Sequence, residues 1–366
     1  MPIPPLTLFR YLTGRMAFIV CALYVGFAAL IFIADFMENL RFAGKYANGD
    51  FGFALRLTAM RTPGLGQILT PFVFLFGSLW LFASLNRRSE LSVMRSAGLS
   101  IWRLIGPPAL FAALCGVLIV LFVDPVVTRM TSFSEQMKND IRGKKTSLVK
   151  VFGDGIWLRQ RTGDVTVMIN AASLAKKQSA LKDVTVWLLD DRSVFLERID
   201  APRAVFRDHQ LVLHNAVMKK PGDKLPQKTP LYSLSSSLTI EDFRDGTQTP
   251  ETMSLWDLPH YTRIAEAAGL PTVRYQLRFH DLCATPLRLS AMVLIAALFC
   301  LKPVRSGGAF RLVLAAVAAG FLVYFVSEIS TALGESNTAP VVLAAWGPVL
   351  AAVILAVTGL LHFEEG

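Results

Sequence analysis

NRRSELSVMRSAGL, residues 86–99, is a polar and basic stretch that separates two long apolar runs. These runs, residues 63–85 and 101–123, are each long enough to cross the hydrocarbon core of a bilayer. Because arginine and lysine collect in short loops on the cytoplasmic side, the stretch predicts an inner loop between two membrane spans. Its arginines, in or directly after the stretch, are Arg87, Arg88, Arg95 and Arg103.

The apolar residues of this stretch recur with mostly helical spacing, which predicts a short amphipathic helix near 87–98 on the inner face. Ser89 is placed to cap its start and Gly98 to end it. Two interpretations remain open: a helix resting on lipid headgroups, or a docking helix for a soluble motor protein. The apolar residues are Leu91, Val93, Met94, Ala97 and Leu99.

The composition is that of a membrane protein, with 53% hydrophobic and 17% charged residues over 366 positions. A formal charge of +10 suggests anionic lipid or another phosphate-bearing partner. Nucleic acid is disfavoured because the basic residues form no stripe interleaved with aromatic residues. All four cysteines lie in or beside apolar runs, so the polar middle of the chain has no disulfide framework and no thiolate metal site.

The hydropathy pattern predicts an α-helical polytopic membrane protein with six spans, three before and three after a polar insertion. With residues 42–62 as an outer connection, both termini face the cytoplasm. Pro107 and Pro108 predict a kink or break in the third span. Gly26, Gly77, Gly116 and Gly320 are candidates for close helix contacts. The spans are residues 16–36, 63–85, 101–123, 277–301, 310–333 and 341–361.

The polar insertion alternates apolar and polar residues with period two, which predicts an antiparallel β-sandwich or jelly roll outside the membrane. Residues 254–269 return to helical spacing as a linker helix. The predicted domains are 1–125, 126–272 and 273–366. Whether the apolar face closes as an ordinary core or stays partly open for an apolar ligand is not decided by the pattern. The alternating residues are Val165, Val167, Ile169, Val184, Val186, Leu188, Leu211, Leu213, Leu234, Leu238 and Ile240.

Enzyme motifs are absent from the sequence. It contains no G-x-x-x-x-G-K-[ST] phosphate loop, no H-E-x-x-H and no G-x-S-x-G, and its five histidines are isolated. The chain is therefore expected to be no enzyme and to hold no cofactor. Any work driven by ATP must come from another subunit.

The order of three spans, a β-rich insertion and three spans, with R-S-E-L-S-V-M-R-S-A-G-L at 88–99, resembles the lipopolysaccharide export permease family LptF/LptG (YjgP/YjgQ). Further similarity lies in A-D-F-M-E-N-L-R at 34–41, R-Y-Q-L-R-F-H at 274–280 and L-A-A-W-G-P at 343–348. Within the family, the end of the first span and the sixth span favour the LptG branch.

The resemblance implies a multi-pass protein of the bacterial inner membrane that extracts lipopolysaccharide from the outer leaflet. It implies a heterodimer with a paralogous LptF-like permease, above a dimer of cytoplasmic LptB-like ATPase subunits that bind ATP and Mg²⁺. The periplasmic β-domain would pass the lipid to a single-span LptC-like subunit and an LptA-like bridge protein.

The resemblance also implies the site residues. Coupling to the ATPase would use Glu90, Arg88, Leu91 and Met94, with Glu90 entering a groove on the ATPase. Lipopolysaccharide would meet the outer end of the first span at Arg41, Glu38, Phe36 and Phe32. Asp35 and Phe42 depart from the family, because relatives carry lysine near these positions.

Two other functions remain as alternatives. One is a non-transporting membrane scaffold whose β-domain binds a protein or glycan. The other is a permease of the lipoprotein-release type, against which the 3+3 arrangement argues, since such permeases typically have four spans and a large domain after the first.

Overall fold

The computed structural model describes residues 6–47, 49–141, 148–152, 155–162, 165–175, 180–190, 195–207, 210–220, 226–235, 249–267, 270–301 and 309–365. Their helices are α1 Leu6–Tyr46, α2 Phe51–Arg87, α3 Glu90–Ser96, α4 Ile101–Leu118, α5 Asp124–Ile141, α6 Leu258–Ala267, α7 Val273–Cys300, α8 Ala309–Glu335 and α9 Val341–Glu365. Their strands are β1 Leu148–Phe152, β2 Gly155–Thr162, β3 Val165–Ala175, β4 Ala180–Asp190, β5 Phe195–Arg207, β6 Gln210–Lys219 and β7 Gln227–Ser235.

Six helices of the described chain are long and apolar enough to cross a membrane, which confirms the predicted number of spans. Each predicted span falls within one of them to within one residue: 277–301 extends one residue past Cys300, and 310–333 begins one residue before Arg311. The protein is therefore a multi-pass membrane protein. The six helices are α1, α2, the continuous α4–α5 segment, α7, α8 and α9.

The first two spans are much longer than predicted. Helix α1 has 41 residues and so extends over about 60 Å, twice the thickness of a hydrocarbon core. Only residues 47–50 separate it from α2, so the predicted outer connection at 42–62 is wrong. The glycines and charges of that region end the apolar run, but they do not end the helix, which continues beyond the membrane.

The third span does not break at its prolines. Helix α4 continues through Pro107 and Pro108, both of which are buried. The departure from regular α-helix comes later, as a π-helical segment at Ile119–Val123, directly before Asp124. Such segments insert one extra residue into the helical ladder and re-aim the residues that follow.

The chain divides into two compact units, residues 1–134 with 277–366 and residues 135–276. The divisions fall inside α5 and α7, because these helices run past the positions where the composition changes. The core of the first unit is apolar, with Phe74 and Phe82 among its largest fully buried side chains. Its other members come from α2 itself and from α1, α3, α4, α7, α8 and α9, with Leu301 directly after α7.

Glycines permit close helix approach at three of the four positions that the sequence indicated. A Cβ at Gly116 would lie 2.5 Å from Cα of Pro286, and one at Gly77 would lie 3.0 Å from Val20. Gly320 packs equally tightly against Leu75. Gly26 has no neighbour within 4 Å of such a Cβ among the described residues, so its predicted contact is wrong within this chain.

The inserted unit is an antiparallel β-sheet, as the alternation predicted. Its seven strands pair only with their neighbours in sequence, in the order β1 to β7. Within the described strands this is a single meander, which differs from the crossed-over order of a jelly roll and from two packed sheets. Alternation shows that one face is buried, but it does not show which strands pair; the small number of residues between successive strands favours pairing of neighbours in sequence.

One face of the sheet is buried and includes Val167, Val186 and Leu213, as predicted. Residues Ala265 of α6 and Leu270 after it pack on this face, so the linker helix belongs to the sheet unit. Asp183 and Asn215 adopt left-handed backbone conformations, and the alternation of buried and exposed residues changes phase at these positions in β4 and β6. The predicted positions Leu238 and Ile240, and the side chain of Val165, lie outside the described residues.

Candidate coupling and lipid-contact sites

Helix α3 ends at a hydrogen-bonded motif that its glycine makes possible. Gly98 has φ +78°, and its N–H donates to Arg95 O at 3.0 Å. The N–H of Leu99 donates to Met94 O at 3.2 Å, which completes a Schellman ending. The expected cap at the other end is wrong, because Ser89 has φ 59° and makes no side-chain hydrogen bond to the helix.

The apolar face of α3 is directed into the helical unit. Leu91 is 4% exposed and belongs to the same core as Leu12 of α1 and Leu85 of α2. Met94 packs against that core as well. These two residues, which the resemblance implied as partner contacts, therefore hold α3 to its own spans. The exposed surface of α3 instead contains Val93, which is 65% exposed, together with Arg88 before the helix and Arg95 in its last turn.

Glu90 is engaged with helix α1. Its Oε2 accepts a hydrogen bond from the hydroxyl of Tyr11 at 2.8 Å and forms an ion pair with Arg15 at 3.4 Å. Arg15 also donates to the Tyr11 hydroxyl at 2.7 Å and to Oγ of Ser84, in α2, at 3.0 Å. We call these residues, Tyr11, Arg15, Ser84 and Glu90, the α3 junction.

The residues implied for lipopolysaccharide do not form one patch. Phe32 and Phe36 stack with ring centroids 6.3 Å apart and are partly buried. Arg41 and Glu38 are exposed. Since an α-helix turns about 100° per residue, Arg41 lies about 140° around α1 from Phe36 and about 60° from Glu38. The helix thus presents an aromatic face and a separate charged face.

A buried polar cluster joins α1 to α2, and sequence reasoning missed it. The Asp35 side chain is 4% exposed and pairs with Arg61 at 2.7 Å. Asn39 Nδ2 donates to Asp35 Oδ2 at 2.6 Å and to Thr58 Oγ1 at 3.0 Å. Asp35 is therefore directed at α2, which explains how an acid is accommodated here. The i, i+4 spacing of Asp35 and Asn39 within an apolar helix was the available signal.

Two further ion pairs lie among the spans. Asp124, fully buried at the start of α5, pairs with Arg278 of α7 at 3.0 Å. Asp281 and Arg288 pair within α7. The motif at 274–280 also meets the motif at 343–348, because Trp346 Nε1 donates to His280 Nδ1 at 3.4 Å. The motifs that carried the resemblance thus supply contacts between helices.

Six spans, an inserted antiparallel sheet and ion pairs between the spans define a multi-pass membrane protein with an inserted β domain. The family model for the lipopolysaccharide export system permease LptF/LptG matches residues 10–362, so the chain belongs to this family. It is a permease subunit of lipopolysaccharide transport.

Curated relatives carry the LptG name, in agreement with the branch that the sequence favoured. The chain is 25% identical to the lipopolysaccharide export system permease protein LptG of Haemophilus influenzae over 360 residues, 96% of each chain. It is 22% identical to the protein of the same name from Escherichia coli K12 over 307 residues, 81% of this chain and 82% of the relative.

Proposed function

We propose that this permease works in the bacterial inner membrane as one half of a heterodimer with an LptF-like paralogue. A dimer of LptB-like ATPase subunits on the cytoplasmic side would bind ATP and Mg²⁺ and drive the cycle, while this chain holds no cofactor. The observation that carries the proposal is α3, a helix fixed to its own spans by Leu91 and presenting an exposed, arginine-flanked surface.

The exposed surface of α3 is suited to docking. Val93 offers an apolar contact, and Arg88 with Arg95 offers charge for an acidic rim on the ATPase. Contact between Glu90 and the ATPase remains a prediction. The Glu90 side chain is 27% exposed and uses Oε2 for Arg15 and Tyr11, so it can meet a partner without leaving them. The same arginines support a cytoplasmic position for α3, and with it for both termini.

Helices α1 and α8 are the spans suited to contact the lipid and the second permease. Large apolar side chains on both are left exposed by the described part of the chain, among them Phe18 and Leu30 on α1 and Leu322 and Ile329 on α8. The lipid would enter between the two permeases past these helices. Arg41, exposed beyond the apolar run of α1, would meet the lipid phosphates, with Glu38, Phe36 and Phe32 as the further predicted contacts.

The sheet unit would act as the periplasmic relay toward an LptC-like single-span subunit and an LptA-like bridge. Acyl chains exposed to water cost about 0.8 kcal/mol for each CH₂ group, so the relay requires a continuous apolar surface. The apolar face that includes Val186 and Leu213 supports this role.

Photocrosslinking tests the relay. A photoreactive residue at Val186 should crosslink to lipopolysaccharide in an ATP-dependent manner. Thr185 is the matched control, since it lies on the same strand but on the opposite face, where it donates to Asp200 Oδ1 at 2.9 Å. Crosslinks from Thr185 but not from Val186 would contradict the relay and favour a closed core.

Cysteine labelling tests the orientation. In a background without the exposed Cys21, Ser89→Cys should be shielded from a membrane-impermeant thiol reagent in spheroplasts. Lys182→Cys, at an exposed position of β4, should react. Labelling of Ser89→Cys from outside would overturn the assignment of α3 to the cytoplasm.

A further inference from the structure

We propose that Arg15 is a positioning residue that ties the docking helix α3 to the first span, so that α3 and α1 move together during transport. This inference rests on the proposed function, because it concerns how movement at the ATPase reaches the lipid. It assigns Glu90 a partner within this chain, 75 residues away in sequence.

The guanidinium of Arg15 joins three helices at one point. It lies on α1, bonds Ser84 of α2 at 3.0 Å and pairs with Glu90 of α3 at 3.4 Å. Tyr11 completes the α3 junction, since its hydroxyl donates to Glu90 and accepts from Arg15. A planar group with five donors can hold several acceptors in one geometry, which a lysine at this position could not reproduce.

An apolar layer lies next to the α3 junction. Leu12 and Met16 of α1 are fully buried against a core that includes Leu85 and Leu91. Side chains in such a core are closely packed, so α3 cannot shift away from α1 without opening a cavity. Arg15 and Glu90 are 20% and 27% exposed, which places the ion pair at the edge of this layer.

Helix α1 is suited to carry a displacement over the distance that the proposal needs. It runs unbroken from Leu6 to Tyr46 and contains no proline. From Arg15 to Asp35 it spans about 30 Å, the thickness of a hydrocarbon core. At Asp35 the helix is joined to α2 by the ion pair with Arg61. A movement of α3 would therefore reach the outer end of the first span through a single rigid element.

A double-mutant cycle on the purified complex with its ATPase tests the proposal. The measured quantity is the ratio of lipopolysaccharide-stimulated to basal ATP hydrolysis. Arg15→Gln and Glu90→Gln should each lower this ratio by about two- to fivefold, the range that a partly exposed ion pair supports. The double variant should be no worse than either single variant, because both remove the same interaction. Arg15→Glu with Glu90→Arg should recover part of the ratio.

Arg10→Gln is the matched control, since Arg10 is exposed on the same helix and its side chain makes no hydrogen bond or ion pair within the described part of the chain. It should leave the ratio unchanged. If Arg15→Gln behaves like Arg10→Gln, or if the effects of Arg15→Gln and Glu90→Gln multiply, the proposal is wrong.

A distance measurement separates this proposal from the proposed function. Spin labels at Thr7→Cys and Ser92→Cys, both exposed positions, report the distance between α1 and α3 in the isolated chain in nanodiscs, after removal of the native cysteines. The distance distribution should be narrow and should broaden with Arg15→Gln. An unchanged distribution would refute the link between the helices. Failure of the wild-type chain to copurify with an ATPase would instead contradict the proposed function.

Discussion

Arg61→Met should destabilise the helical unit by leaving the Asp35 carboxylate buried without its ion-pair partner. Asp35 is 4% exposed, and Arg61 is 27% exposed, so the acid is almost fully desolvated while the base is partly solvated. Removing one member of a buried pair costs roughly 3–5 kcal/mol, and the partial exposure of Arg61 places the loss near the lower end, about 3 kcal/mol. The hydrogen bond from Asn39 remains in the variant and limits the loss.

The free energy of unfolding in an SDS titration of the chain in mixed micelles measures this loss. Arg56→Met, at an exposed position of the same helix, controls for the change in charge and should cost less than about 1 kcal/mol. Asp35→Asn combined with Arg61→Met should recover most of the stability, because no buried charge is then left unpaired. If Arg61→Met were no worse than Arg56→Met, the polar cluster would not join α1 to α2.

Three further predictions concern packing, the end of α3 and pH. Gly116→Ala should cost about 1–3 kcal/mol in the same titration, because its Cβ would lie 2.5 Å from Cα of Pro286, whereas Gly26→Ala should be neutral. Gly98→Ala should cost about 1 kcal/mol at φ +78° and should speed amide hydrogen exchange in residues 90–99; unchanged exchange would contradict the Schellman ending. Burial raises the pKa of Tyr261, so its contribution to the stability of the sheet unit should be complete below about pH 10 and should decrease as the pH rises further. In thermal unfolding, Tyr261→Phe should therefore lose less stability above about pH 10 than the wild-type chain does. An equal loss in the variant and in the wild type would refute the raised pKa of Tyr261.

The spans and the inserted sheet were predictable because each follows from a local rule. About 20 apolar residues are needed to cross a bilayer, and a half-buried strand alternates with period two. The end of α3 was equally local, since Gly98 accepts a left-handed conformation. The length of α1 was not predictable in this way, because polar residues such as Arg41 end a membrane run without ending a helix.

The contacts that α3 and α1 make with the rest of the chain join residues that are far apart in sequence. Helical spacing identified the apolar face of α3, but it did not show that Leu91 is used against the chain's own core. Likewise, Glu90 and Arg15 meet only because α1 and α2 pack side by side. The spacing of residues in the sequence does not predict that packing. Only their charges could have suggested the pair, and the four other arginines near Glu90 offered nearer partners in sequence.

Reconstitution of the chain with its paralogue and the ATPase tests whether this chain couples ATP hydrolysis to lipid transfer. The complex would be placed in proteoliposomes that contain lipopolysaccharide, and the transfer of lipid to an added bridge protein would be measured with and without ATP. We expect ATP-dependent transfer that is lost when this chain is omitted. Equal transfer without this chain, or an ATPase rate that lipopolysaccharide and this chain leave unchanged, would contradict its role as a permease subunit coupled to ATP hydrolysis.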